Sequence, residues 1–382
     1  MKRILILTDW FYPGFRAGGL ITASLNLSRQ LSKNHEVFIL TSDRDLGNPL
    51  PYADVSPNSW HLFEFNIHVC YLSPDLLNWN SVLKEIQKID PSFVFLNSMF
   101  SKCFTVFPLL MKKLKLFRAR VIVSPRGMLM RSALAMKPMK KWIFLKLLKL
   151  YGIHRIVGFH ATSINEKMDI YRVFGRVQVT VIPDVPPKPE SDCLIKKKVT
   201  GELKLIFVGR IHRIKNLHYL LKCLTPVRQM IYLTVAGPIE DHQYFLECKE
   251  ASDLLPNNIK VTFVGDKNSI EIRQLLLDHH FFVLPTCGEN YGYSIVESFA
   301  AGRPVIISDN TPWHELSTKR IGWDLPLNNT REFTNAIQRA SFMDEVEYSD
   351  WSSHSLQFAK QLYYKDLLNE KYSMLFQNSE VA

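Results

Sequence analysis

The strongest constraint on the fold is an alternation that runs, stops once and starts again. ILIL (Ile4 to Leu7), HEVFILTSD (His35 to Asp43), FVFLNS (Phe93 to Ser98), RVIVSP (Arg120 to Pro125) and GFHATS (Gly158 to Ser163) are short apolar runs ending in turn residues. Segments with helical spacing of apolar positions separate them, LITASLNLSRQLSKN being one. Such an order predicts a parallel sheet covered by helices on both faces. The pattern stops at IPDVPPKPESDCLIKKK, where four prolines and a basic run follow Ile182. Proline joins neither a helix interior nor a sheet ladder, so a linker is expected there. LKLIFVGR, IYLTVAG, IKVTFVG, HFFVLPT and RPVIISD then repeat the alternation. The expected class is α/β with two Rossmann-like domains facing across a cleft: 1–185, a linker at 186–200, a second domain at 201–355, and a helix at 356–382 returning to the first domain. Ligands of such sheets gather at the carboxyl ends of the strands.

A chain of 382 residues is long enough for two domains. No stretch reaches the ~18 uncharged apolar residues of a membrane span, and the run after the first basic residues ends at Thr8 and Asp9, too soon for a signal peptide. The six cysteines are scattered with no Cys-x-x-Cys pair, which fits reduced thiols. A cytoplasmic protein is expected. The net charge of +11 is uneven: fourteen Lys or Arg and no acidic residue lie between Asp90 and Glu166, while the remainder is close to balanced. A patch of this kind attracts polyanions such as anionic lipid headgroups. No nucleic-acid motif accompanies it, so nucleic acid is not an expected partner. Within it, PMKKWIFLKLLKLYG sets lysines among large apolar residues without confining them to one helical face. It can equally pack on the first sheet or meet a membrane surface.

Two constellations carry chemistry. In FVGRIHRIKN, Gly209 ends a strand, and Arg210 and Lys215 follow it. A guanidinium fork and an ammonium suit a leaving diphosphate, on which negative charge builds. In CGENYGYSIVESFAAGRPVIISD a strand leads into a turn with Glu289, then Gly292, then a helix with Gly302 as its stop. Backbone N–H groups at Gly292, Tyr293 and Ser294 would form an anion site at the helix amino end. Glu297 can accept bonds from a ribose diol, and Glu289 can reach hydroxyls of a donor sugar. Asp43-Arg44-Asp45 imitates a divalent-metal pair, but its place at a strand end favours loop capping. The twelve histidines include no pair spaced for zinc, so no metal is expected.

These motifs resemble the retaining glycosyltransferases of family 4. GENYGYSIVE reproduces the two glutamates flanking seven residues, and FVGRIHRIKN resembles the family's Gly-Arg and Lys phosphate segment. AGP (Ala236 to Pro238), AAGRPVI and TPWHEL follow in the family's order, WFYPGFRAGG resembles its amino-terminal glycine loop, and SPRGML (Ser124 to Leu129) is similar to a segment of its bacterial surface-polysaccharide members. The resemblance implies a GT-B fold, a nucleotide-sugar donor, retention of anomeric configuration, and no cofactor or metal. It implies that Arg210 and Lys215 hold the diphosphate, Glu297 the ribose and Glu289 the donor sugar, and that Gly18 and Gly19 let the first loop approach the donor phosphates. Many relatives carry a histidine where this chain has Arg126-Gly127, so Arg126 is a candidate for a phosphate or acceptor hydroxyl, or a structural residue. The implied acceptor is a lipid-linked glycan at the inner membrane surface, in assembly of O-antigen, capsule or lipopolysaccharide. An epimerase or hydrolase of the same fold and a non-catalytic scaffold are the alternatives.

Overall fold

The structure is a computed structural model that describes residues 1–135, 138–191, 196–364 and 367–377. The chain forms two compact units, Met1–Val185 together with Lys365–Ala382, and Pro186–Tyr364.

Among the described residues, the first unit has eight strands: β1 (Arg3–Leu7), β2 (Glu36–Ser42), β3 (Trp60–Glu64), β4 (Ile67–Leu72), β5 (Phe93–Leu96), β6 (Arg120–Val123), β7 (Gly158–Ala161) and β8 (Val179–Val181). They lie in the order β3-β4-β2-β1-β5-β6-β7-β8. Every pairing is parallel except that of β3 with β4. The strand residues alternate between two apolar layers. One layer packs Leu5, Leu7, Val94 and Val121 against Val82, Ile86, Leu145 and Ile170. The other packs Ile4, Ile6, Ile39 and Phe95 against Leu27 and Leu31 of the Gly19–Leu31 helix, and against Tyr372, Leu375 and Phe376. A segment near the carboxyl end therefore completes the first unit, as expected.

The second unit has six strands among the described residues: β9 (Glu202–Val208), β10 (Met230–Ala236), β11 (Ile259–Gly265), β12 (Phe281–Leu284), β13 (Val305–Ser308) and β14 (Gly322–Leu325). They form a wholly parallel sheet in the order β11-β10-β9-β12-β13-β14. Parallel strands buried on both faces read as unbroken apolar runs, and FFVL of β12 and VIIS of β13 are buried throughout.

Two expected boundaries move. Position 355 falls inside the Glu345–Tyr363 helix, and the part that joins the first unit begins at Lys365. The proline-rich segment is docked on the second unit. Glu190 pairs with Arg273, its N–H donates to the Ala300 carbonyl at 3.1 Å, and the Lys197 carbonyl bonds the His280 ring at 3.0 Å. The Lys198 ammonium donates to the carbonyls of Val199, Ser341 and Met343 at 2.9, 2.9 and 3.2 Å. It thereby closes the carboxyl end of the Thr330–Phe342 helix, whose last carbonyls have no partner within the helix. Among the described residues, no helix is long and apolar enough to cross a membrane.

Candidate functional site

In the second sheet, successive strands step outward from β9 to β11 and then return to β12 on the other side. This reversal opens a crevice at the carboxyl ends of β9 and β12. Both sequence constellations lie there.

From β9 the chain passes through Gly209 and Arg210 into a tight 3₁₀ turn, Arg213–Lys215. The His212 ring caps that turn, its Nδ1 accepting from the Ile214 N–H at 3.2 Å. Asn216, at φ 59°, reverses the backbone into the Leu217–Leu224 helix. The exit of β10 presses against that of β9: Gly209 N–H donates to the Ala236 carbonyl at 3.0 Å. Gly237, at φ +140°, comes so close that a Cβ there would sit 2.1 Å from the Gly209 carbonyl oxygen. Only glycine fits.

The loop after β12 is strapped to this turn. The Ile214 carbonyl accepts from the Cys287 N–H at 2.7 Å and from the Thr286 hydroxyl at 3.1 Å. Ser308 Oγ, at the end of β13, donates to the Thr286 carbonyl at 2.6 Å. Across the strap, the Lys215 ammonium and the Glu289 carboxylate form an ion pair whose side chains are 16% and 12% exposed. Arg210 turns to Glu240 on the β10 exit, with NH1 to Oε2 at 2.5 Å.

Gly292, at φ 78°, caps the Tyr293–Ala300 helix, and Trp313 Nε1–H donates to the Tyr291 carbonyl at 2.7 Å, holding the approach to that helix. The amides of Gly292, Tyr293 and Ser294 stand at the amino end of this helix, where the partial charge is positive. Glu297 lies one turn on and is half-buried. Burial, with no compensating partner, pushes its carboxyl up to about 7.

The crevice thus joins Lys215 to Glu289 directly. Arg210 shares their loop but is spent on Glu240, and Glu297 makes no contact with the pair. The Arg210–Glu240 pairing had no signal in the sequence, because thirty residues separate the partners.

In the first unit the reversal falls between β1 and β5. Gly18, at φ 60°, precedes the Gly19–Leu31 helix. The loop before it is held by Asp45, whose Oδ2 accepts from the N–H groups of Phe15 and Arg16 at 2.7 and 3.0 Å. Asp43 pairs with Arg44 at 2.8 Å. The Asp-x-Asp pair is a loop cap.

Arg126 is bonded within the first unit. Its Nε donates to Asn97 Oδ1 at 2.6 Å, its NH1 to Asp184, and the side chains of this ion pair are 6% and 5% exposed. These two donors are engaged inside the first unit, which suits the structural alternative for Arg126. Asn97 in turn bonds Ser24 of the Gly19–Leu31 helix at 2.6 Å, which makes the cluster an internal brace. His160 behind it bonds Ser124 Oγ and the Ile182 carbonyl, each at 2.9 Å, and burial lowers its imidazole to about 3. It is a neutral core residue. Sequence reasoning also passed over Asp9, which bridges the β1–β5 reversal by accepting from the Ser101 hydroxyl at 2.6 Å. Burial raises its carboxyl above the usual range.

Residues 202–341, which contain every candidate of the second unit, match the family model described as Glycosyl transferases group 1. The fold is the GT-B glycosyltransferase fold. A sucrose-phosphate synthase from Thermosynechococcus elongatus is 16% identical over 98% of both chains, with a TM-score of 0.68. Anabaena HepE, solved in complex with UDP-glucose, is 15% identical over 98% of this chain and 99% of its own, at 0.69. The lipopolysaccharide outer core galactosyltransferase WaaB is 15% identical over 98% of each, at 0.61. Among curated proteins, an uncharacterized glycosyltransferase of Methanocaldococcus jannaschii is 28% identical over 109 residues; the match spans 28% of this chain and 27% of that relative.

Proposed function

We propose that this chain transfers a hexose from a nucleoside diphosphate sugar to a hydroxyl of a lipid-linked or polysaccharide acceptor, with retention of anomeric configuration. The observation that carries the reading is the Lys215–Glu289 pair at the β9–β12 crevice, beside the amino end of a helix. Lys215 and the amides of Gly292 to Ser294 supply positive charge where a diphosphate leaves, and Arg210 is within the same loop to join them by exchanging Glu240 for phosphate. In this reading Glu289 accepts from hydroxyls of the sugar, and Glu297 from the ribose diol.

The acceptor oxygen bonds to the anomeric carbon on the face from which the diphosphate departs. The bond from that carbon to the diphosphate oxygen breaks, and the acceptor proton passes to the leaving diphosphate. Protein cations neutralise the leaving charge, so no metal or cofactor is required, and turnover is expected to persist in a chelator. HepE with UDP-glucose supports a nucleotide-sugar donor, and WaaB, a lipopolysaccharide outer core galactosyltransferase, supports the lipopolysaccharide setting among the lipopolysaccharide, capsule and O-antigen ones proposed. The basic stretch between Asp90 and Glu166 supports work on the cytoplasmic face of an anionic membrane.

Calorimetry against a panel of nucleotide sugars tests the donor site, and NMR of the product tests the anomeric outcome. Arg210→Ala and Lys215→Ala should each lower kcat by roughly 100- to 1,000-fold, as loss of one charge-stabilising donor does elsewhere. Normal turnover in both removes their leaving-group role. Donor consumption without acceptor points instead to an epimerase or hydrolase, and failure to bind any nucleoside diphosphate points to a scaffold.

A further inference from the structure

The Pro138–Leu150 helix is apolar on two opposite faces. One is accounted for: Leu145 and Leu148 are buried in the first unit's core, and Phe144 packs edge-on against Phe100 at 5.7 Å. The other is not. Met139, Ile143, Leu147 and Leu150 follow one another at spacings of four, four and three, a single helical stripe, and are 74%, 46%, 44% and 76% exposed. Trp142 lies beside them at 60%. Isolated exposed apolar residues need no explanation, but a contiguous stripe of this size marks a contact surface.

The charges identify its occupant. Lys140, Lys146 and Lys149 are exposed on the same helix, and the Lys146 ammonium sits 4.7 Å over the Trp142 ring. No acidic residue occurs between Asp90 and Glu166 in the sequence to repel an anionic surface. Large apolar side chains ringed by lysines, with a tryptophan among them, match the boundary between headgroups and acyl chains.

We infer that the Pro138–Leu150 helix lies in the surface of an anionic lipid bilayer, with Met139, Trp142, Ile143, Leu147 and Leu150 entering the acyl boundary and its lysines held at the headgroups. This deepens the membrane part of the proposed function, since it names apolar insertion by one helix where the charge pattern alone implied attraction. Its failure would leave the donor site untouched.

The test is co-sedimentation of the full chain with vesicles of phosphatidylcholine and phosphatidylglycerol, against vesicles of phosphatidylcholine alone. The wild-type chain should bind the anionic vesicles. Trp142→Ser with Ile143→Ser should weaken that binding at least tenfold without lowering the melting temperature, because both side chains are exposed. Lys140→Gln, Lys146→Gln and Lys149→Gln together should weaken it about a hundredfold, the equivalent of about 1 kcal/mol per lysine. All variants should keep wild-type affinity for nucleoside diphosphates by calorimetry. Absence of vesicle binding by the wild-type chain overturns the inference, as does unchanged binding of the Trp142/Ile143 variant, which would leave charge alone at work. A concentration-dependent dimer that this variant abolishes also overturns it, by assigning the stripe to a second copy.

Discussion

Glu297 shows what a single unpaired carboxyl contributes. The unfolded chain releases this proton near the ordinary carboxyl value of 4.5, and the folded chain holds it to about 7. Between those values the native state binds more protons, so stability present below pH 4.5 is lost progressively as pH rises to 7. At ~1.4 kcal/mol per pKa unit the loss is of the order of 3 kcal/mol. Glu297→Gln is therefore expected to melt higher than wild type at pH 8 and alike at pH 4.5, as differential scanning calorimetry will show. The same variant should bind nucleotide sugar about 10- to 100-fold more weakly, the usual worth of a charge-assisted bond. Lys215 and Arg210 differ in a way their chemistry alone does not reveal. The Arg210–Glu240 pair is exposed and contributes ~0–1 kcal/mol, so Arg210→Ala should leave the melting temperature in place. Lys215→Ala strands Glu289 in a more enclosed position, and a loss of roughly 1–2 kcal/mol is expected on denaturation. The two glutamates were legible because nine consecutive residues contain them. The commitments of Arg210 and Arg126 were not, because Glu240, Asn97 and Asp184 come from distant strand exits.

At the scale of elements, most of the strands that the sequence made plain are central ones bounded by turn residues, although IKVTFVG, the edge strand β11, was legible too. The β3–β4 hairpin was harder to see. WHLFEFNIHVCYL has neither Gly nor Pro to mark its reversal, which is made instead by Asn66 at φ 57°. The edge strand β14 is four residues long and largely half-buried, too brief for a periodicity to register. The exits of β9 and β10 deserve a direct test. Gly237→Ala would place a methyl 2.1 Å from the Gly209 oxygen in a backbone region costly for alanine. A loss of about 2–4 kcal/mol in urea unfolding is expected, with weaker diphosphate binding because the Arg210–Lys215 turn is displaced. Lys198 is the corresponding device for a helix end. Lys198→Met keeps the side-chain volume but removes the donor of the Met343 carbonyl and one of the two donors of the Ser341 carbonyl, which retains the Gly201 N–H, and should cost about 1–3 kcal/mol.

For the whole molecule, the alternation of strand and helix and its single interruption correctly foretold two α/β units. The role of the interruption was less legible, because prolines state where a ladder cannot continue and say nothing of what the segment rests on. It rests on the second unit, through Glu190, Lys197 and Lys198. That unit is one continuous stretch, Pro186–Tyr364, whereas the first is assembled from two. A fragment of residues 186–364 is accordingly expected to fold and to bind nucleoside diphosphate by itself. A fragment of residues 1–185 lacks Tyr372, Leu375 and Phe376 from its core and should show poor amide-exchange protection until a peptide of residues 365–382 is added.

Those three aromatic and aliphatic side chains also set an order of events during synthesis. A ribosome moving along the message finishes the second unit before it supplies the closing piece of the first. The stretch up to Val185 must therefore wait, the part of its β1, β2 and β5 face beside the Gly19–Leu31 helix still lacking its cover of Tyr372, Leu375 and Phe376, while everything up to Tyr364 is made, and that interval is when chaperone capture or misassociation would act.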